Sequence, residues 1–84
     1  MPKKEILKKQ IVYRSTHRGT KEMDLLLGSF VKEYIDNFNE NELLDLEKLL
    51  FIEDDIISKW YFENVQNHSI QKNKISKLLK KFKL

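Results

Sequence analysis

The sequence predicts an all-α fold, a small five-helix bundle forming a single domain over residues 1–84, and three observations carry that prediction. Apolar residues recur at spacings of three and four almost everywhere, which stacks their side chains on one face of a helix. The only proline is Pro2, so ring sterics forbid a helix nowhere further along. No stretch shows the strict apolar/polar alternation of a half-buried strand.

The elements follow in order. A first helix is expected over about 3–15, with Leu7 and Ile11 on one stripe and Ile6 and Tyr13 beside it. Gly19 ends it. The second begins near Thr20 and runs to about 37, because Met23, Leu26, Leu27, Phe30, Val31, Tyr34 and Phe38 form the strongest amphipathic stripe in the chain. Gly19 or Thr20 serves as its cap. Glu22 and Asp24 fall in its first turn, where each carboxylate gains about 0.3 to 1 kcal/mol from unpaired N–H groups and the helix dipole. Asn39, with Glu42 three residues later, matches the capping pattern for a third helix that ends near 52 and buries Leu43, Leu46, Leu49 and Leu50. A fourth opens at Asp54 or Asp55 and presents Ile56, Ile57, Trp60 and Tyr61. NVQNHS at 64–69 reads as a linker, and a last helix over about 69–82 buries Ile75, Leu78, Leu79 and Phe82. The expected core is Leu26, Phe30, Tyr34, Leu46, Leu50, Trp60 and Leu78.

Composition narrows the function classes. A chain of 84 residues buries only about 60 to 65% of the surface its unfolded form exposes, which leaves little room for a deep catalytic cavity. With no cysteine there is neither a disulfide framework nor a thiolate zinc site, and a reducing compartment fits. His17 and His68 sit in different loops without a carboxylate at metal-ligand spacing, so no metal site is expected. No nucleophile arrangement and no glycine-rich phosphate loop appears, so no catalytic residue is assigned and an enzyme is the weakest class. No apolar run is long enough for a membrane span or a signal-peptide core, and the basic opening lacks the composition of a transit peptide.

Net charge is +3, but it is segregated: residues 1–21 carry +6, residues 22–64 carry −9 and residues 65–84 carry +6. The basic ends could track nucleic acid, yet the acidic middle would repel the same phosphates, and the balance favours a protein partner. The lysines of the last segment read as a solvated helix face, and Trp60–Tyr61 as core.

YRSTHRGTKEMDLLLGSF, residues 13–30, holds both glycines of the chain, and Arg14, His17, Arg18, Lys21, Glu22 and Asp24 crowd around the first. A glycine permits a positive φ or a close backbone approach, and Arg18 beside it offers a planar fork suited to a carboxylate or phosphate. An equally weighted reading is a plain glycine helix end with a local Arg18–Glu22 ion pair, worth at most about 1 kcal/mol if exposed.

RGTKEMDLLLGSF, with VYRS before it, resembles the succinate dehydrogenase assembly factor family, called SdhE in bacteria and assembly factor 2 in mitochondria. Arg18, Gly19, Glu22, Asp24 and Phe30 match its Arg-Gly-x-x-Glu signature, the following Asp and the Phe that ends the apolar run. The resemblance is strongest over 11–31 and continues more loosely through Leu49, Leu50, Asp54, Asp55 and Trp60. It fades beyond, where relatives often carry a Gly and a Pro and this chain has FENVQNHSI.

The chain is expected to be a monomer, and the resemblance implies an assembly factor that binds the flavoprotein subunit of succinate dehydrogenase, and in some bacteria of fumarate reductase. It implies that the factor promotes covalent attachment of FAD to a histidine of that subunit. FAD is then handled through the partner and not held stably by this chain. The implied partner-binding residues are Arg18, Gly19 and Glu22, with Arg14, His17 and Asp24 around them. The compartment would be the bacterial cytoplasm, or the mitochondrial matrix in a eukaryote. The competing reading is a small basic nucleic-acid binder or antitoxin-like regulator, which has the charge runs but no recognisable recognition helix.

Overall fold

Capping chemistry sets where the helices begin. The computed structural model describes residues 3–84 and places α1 at Lys3–Thr16, α2 at Lys21–Tyr34, α3 at Glu40–Leu50, α4 at Asp54–Glu63 and α5 at Lys74–Lys81. The expected domain also takes in residues 1 and 2, which lie outside the described residues. No strand occurs among the described residues. Thr20, not Gly19, caps α2, its Oγ1 accepting the Met23 N–H at 3.2 Å. At α3 the expected capping box is complete: Asn39 Oδ1 accepts from Glu42 N–H at 2.8 Å, and Glu42 Oε1 accepts from Asn39 N–H at 2.9 Å.

Two boundaries, the end of α2 and the start of α5, differ from expectation for local reasons, while α4 ends where the 64–69 linker was expected to begin. The last turn of the second helix tightens into a 3-10 segment, Ile35–Asn37, before Phe38 turns extended. α4 ends on Asn64 in the left-handed conformation, φ 58°, so an Asn here does what glycine commonly does at a helix end. α5 starts at Lys74, later than the expected 69, because Asn73 and Ser76 form a second reciprocal box: Asn73 Oδ1 accepts from Ser76 N–H at 2.9 Å and Ser76 Oγ from Asn73 N–H at 3.0 Å. The linker is therefore longer, and buried Ile70 pins its middle to the core.

α1 packs against α2 and α3, and α5 against α3. The core runs through Leu26, Leu27 and Phe30 of α2, Leu43 and Leu46 of α3, Ile57 and Trp60 of α4 and Ile75 and Leu79 of α5. Tyr34 and Leu78, expected in the core, are partly buried at its margin. Ile6 and Tyr13, placed beside the α1 stripe, are 45% and 63% exposed. α1 offers only a narrow seam, Leu7, Ile11 and Ser15, so the positions flanking it turn outward. Phe82 closes the far end, its ring edge-on to Phe30 at 5.5 Å and to Tyr34 at 6.2 Å, while the Tyr61 hydroxyl donates to its carbonyl.

Two predictions follow from these contacts. Gly28 lies inside α2 where α1 crosses it, and a Cβ there would meet Thr16 Cγ2 at 3.5 Å and Ser15 O at 3.7 Å, ordinary contact distances. Gly28→Ala should stabilise the fold by about 0.5 to 1 kcal/mol by removing a helix-interior glycine, read as a rise of roughly 2 to 8 °C in thermal melting. A drop instead would mean that the helices cannot accommodate the methyl.

Glu42 also reaches α5, its Oε2 2.6 Å from Lys74 Nζ. The hydrogen bond from Lys74, and then that from the Asn39 backbone, hold the Glu42 carboxyl below its ordinary value of 4.5. A depressed folded-state pKa contributes stability above the unfolded value and loses it as pH falls through the folded one. The melting difference between wild type and Glu42→Gln should be full at pH 7 and close at pH values well below 4.5. A difference unchanged across that range would show that the charge plays no part.

Candidate functional site

The α1–α2 loop is built on one guanidinium. Arg18 Nε donates to Asp54 Oδ1 at 2.7 Å, and Nη2 lies 2.6 Å from the same oxygen. Nη1 donates to Leu50 O at 2.6 Å and more weakly to Arg14 O at 3.4 Å, while Nη2 donates to Ile52 O at 3.0 Å. The side chain is only 9% exposed. One residue thus satisfies carbonyls at the end of α1, at the end of α3 and in the α3–α4 connection, groups that a helix terminus otherwise leaves without partners. The fork does engage a carboxylate, as its chemistry suggested, but the carboxylate is this chain's own Asp54. The alternative Arg18–Glu22 pair does not form.

Asp54 divides its two oxygens. Oδ1 takes the guanidinium, and Oδ2 accepts the Gly19 N–H at 2.6 Å. Gly19 does not have a positive φ, so close approach is the reason for the glycine. A Cβ at residue 19 would stand 3.2 Å from Asp54 Oδ2, so the carboxylate would have to shift by a few tenths of an ångström to admit it. From the other side, Asp24 Oδ1 accepts the Arg18 N–H at 2.6 Å. Two successive backbone amides of the loop are therefore each held by a carboxylate, one from α2 and one from α4.

The six residues singled out in the sequence separate into two groups. Arg18 and Asp24 are partly buried and hold the loop in place; Arg14, His17, Gly19 and Glu22 are exposed. His17 stacks on Tyr13 with ring centroids 3.9 Å apart, and its Nδ1 lies 2.8 Å from Tyr13 O. Arg14 lies over the ring of Phe51 at 4.2 Å. Glu22 makes no hydrogen bond or ion pair among the described residues. Sequence reasoning missed two participants: Asp54, read only as a helix start and a loose family match, and Phe51, which is 60% exposed beside the loop.

Basic residues of the C-terminal segment are partly paired within the chain. Lys74 pairs with Glu42, and Lys80 donates to the Trp60 carbonyl with its Nζ 4.8 Å from the Trp60 ring centroid. Burial pushes the Lys80 ammonium below its ordinary value. These contacts take part of that charge away from a phosphate-tracking role. Among the described residues no group of three or more His, Cys, Asp or Glu could hold a metal, and no helix is long and apolar enough to cross a membrane.

Fold and site define the class: a small all-helical protein whose chemistry-bearing groups sit on a rigidly held surface loop. The chain belongs to the family described as flavinator of succinate dehydrogenase, whose model matches residues 9–83. It is 36% identical over 55 residues to the FAD assembly factor SdhE of Acetobacter pasteurianus, covering 66% of this chain and 50% of that protein. It is 39% identical over 77 residues to the mitochondrial succinate dehydrogenase assembly factor 2 of Scheffersomyces stipitis, covering 90% of this chain and 52% of that protein. To the mitochondrial assembly factor 2 of Arabidopsis thaliana it is 37% identical over 57 residues, covering 68% of this chain and 30% of that one. The chain spans about half the length of the first two relatives. No solved structure matches it.

The clasp generates a stability prediction. Asp54→Ala leaves a largely buried guanidinium without its counter-charge and the Gly19 amide without its acceptor. It should cost about 2 to 3 kcal/mol, less than a fully buried pair because Asp54 keeps some solvent. For a domain of this size that is a fall in melting temperature of roughly 10 to 20 °C. Asp54→Asn, which keeps an acceptor, should fall between. A melt of Asp54→Ala within two degrees of wild type would show that the clasp does not hold the fold.

Proposed function

We propose that this chain docks on the flavoprotein subunit of succinate dehydrogenase and promotes covalent attachment of FAD to that subunit. The family match, which runs through all five helices, is the observation that carries the reading. The geometry supports it in a specific way. Arg18, Asp24 and Asp54 fix the loop from within, so that exposed Gly19 and Glu22 meet a partner in one conformation. Glu22, with no partner of its own, offers a carboxylate at the N-terminal turn of α2 to donors on the flavoprotein. Gly19, exposed, leaves room for Asp54 behind it, and its backbone forms part of the surface that the partner meets.

On this reading the chain is a monomeric binding protein that contributes no group to the covalent chemistry. The histidine and the flavin both belong to the partner, and docking increases the time they spend in attack geometry. FAD is cargo of the flavoprotein and is not held by this chain. The homologous subunit of fumarate reductase is a second client in bacteria, and the working compartment is the one that houses these flavoproteins.

In a strain lacking this chain, the flavoprotein subunit should be present but low in covalently bound flavin, read as fluorescence in a denaturing gel. Wild-type chain should restore it. Glu22→Ala should restore it poorly while melting within about 1 kcal/mol of wild type, as befits an exposed first-turn carboxylate. Normal covalent flavin in the strain without any copy would refute the assembly reading. A large loss of stability in Glu22→Ala with normal restoration would make Glu22 structural.

A further inference from the structure

The two arginines of the loop region have unequal partners. Every nitrogen of the Arg18 guanidinium is engaged inside the chain, so it has no free fork to offer. Arg14, one helical turn earlier, is exposed, and its guanidinium makes no hydrogen bond or ion pair among the described residues. Its recorded contact is the ring of Phe51, 4.2 Å below it. That position adjoins the clasp directly: Arg18 donates to the carbonyls of Leu50 and Ile52, the residues on either side of Phe51, and to that of Arg14 itself.

Resting on the assembly reading, we propose that Arg14 recognises a carboxylate on the flavoprotein surface, with Phe51 as the residue that positions its fork. A guanidinium held over an aromatic face loses freedom while its N–H donors stay available to a carboxylate. Holding it there before the partner arrives lowers the ordering cost of binding. Phe51 is 60% exposed, a large apolar ring left in water beside an unpaired cation, and Tyr13, stacked on His17, extends the apolar surface along α1. An apolar face with a stacking cation at its edge matches a protein patch that carries a carboxylate. The patch is continuous with the loop that Arg18 holds, so the partner surface meets Gly19, Glu22, Arg14 and Phe51 together.

The experiment measures binding of purified flavoprotein subunit, without covalent flavin, to the full chain by titration calorimetry, with circular dichroism on every variant. Arg14→Ala should weaken binding at least tenfold, and Arg14→Glu more. Arg14→Lys should recover only part of the loss, since lysine keeps the charge but not the stacked fork. Phe51→Ala should weaken binding and make Arg14→Ala cost less in its background than in wild type. Affinity of wild type should fall more steeply with salt than that of Arg14→Met. Phe51→Cys carrying a short thiol-reactive crosslinker should link to the flavoprotein next to an acidic residue, a readout that holds even if an Arg14 variant misfolds. If wild type binds and Arg14→Ala or Arg14→Lys binds equally well, or the crosslink maps away from any Asp or Glu, the inference is wrong and the assembly reading stands. If wild type does not bind the subunit at all, the assembly reading and this inference fall together.

Discussion

The grip of Arg18 on Asp54 is the contact on which the shape of the α1–α2 loop depends. A guanidinium with 9% of its side chain exposed is stable only if its charge and its donors are all answered, and here a carboxylate and three carbonyls answer them. Those carbonyls come from the end of α1, the end of α3 and the connection to α4, so one planar group joins three chain segments. A lysine could supply the charge but not the fork, because its donors radiate from a single point. The carboxylate in turn explains the neighbouring glycine: Asp54 Oδ2 lies so close to the residue 19 backbone that any side chain there would crowd it.

Much of the fold was legible because its determinants are local. The Asn39–Glu42 box, the α2 stripe and the burial of Trp60 each follow from residues a few positions apart, whose contacts the helix itself dictates. Where local signals were weak the reading slipped. Asn73–Ser76 is a capping box with Ser in the place usually taken by Glu or Gln, so the start of α5 was set too early. Ile6 and Tyr13 are apolar enough to suggest burial, yet α1 meets its neighbours along a seam too narrow to cover them.

The site was legible by residue and not by role. Arg18, Gly19 and Asp24 drew attention through their clustering, but Asp54, the carboxylate that Arg18 and Gly19 share, is 36 residues from Arg18 in sequence, and no spacing rule connects the two. Segregated charge was visible in the composition, whereas its partial resolution inside the molecule, Lys74 on Glu42 and Arg18 on Asp54, depends on how α5 and α4 pack. The acidic middle segment is thus in part the internal counter-charge of the two basic ends. That is why a balance of whole-segment charges was a poor guide to the surface.

The long reach of the clasp has a temporal consequence. During synthesis the α1–α2 loop is complete by residue 20 and the Asp24 carboxylate follows at once, but the second carboxylate that holds it belongs to residue 54, so the loop cannot take its final shape until α3 has been made and α4 has begun. A nascent or truncated chain that stops short of that point carries the Arg-Gly-x-x-Glu letters without the surface they form. The segment that faces outward therefore reaches its final shape only when the fold behind it is complete.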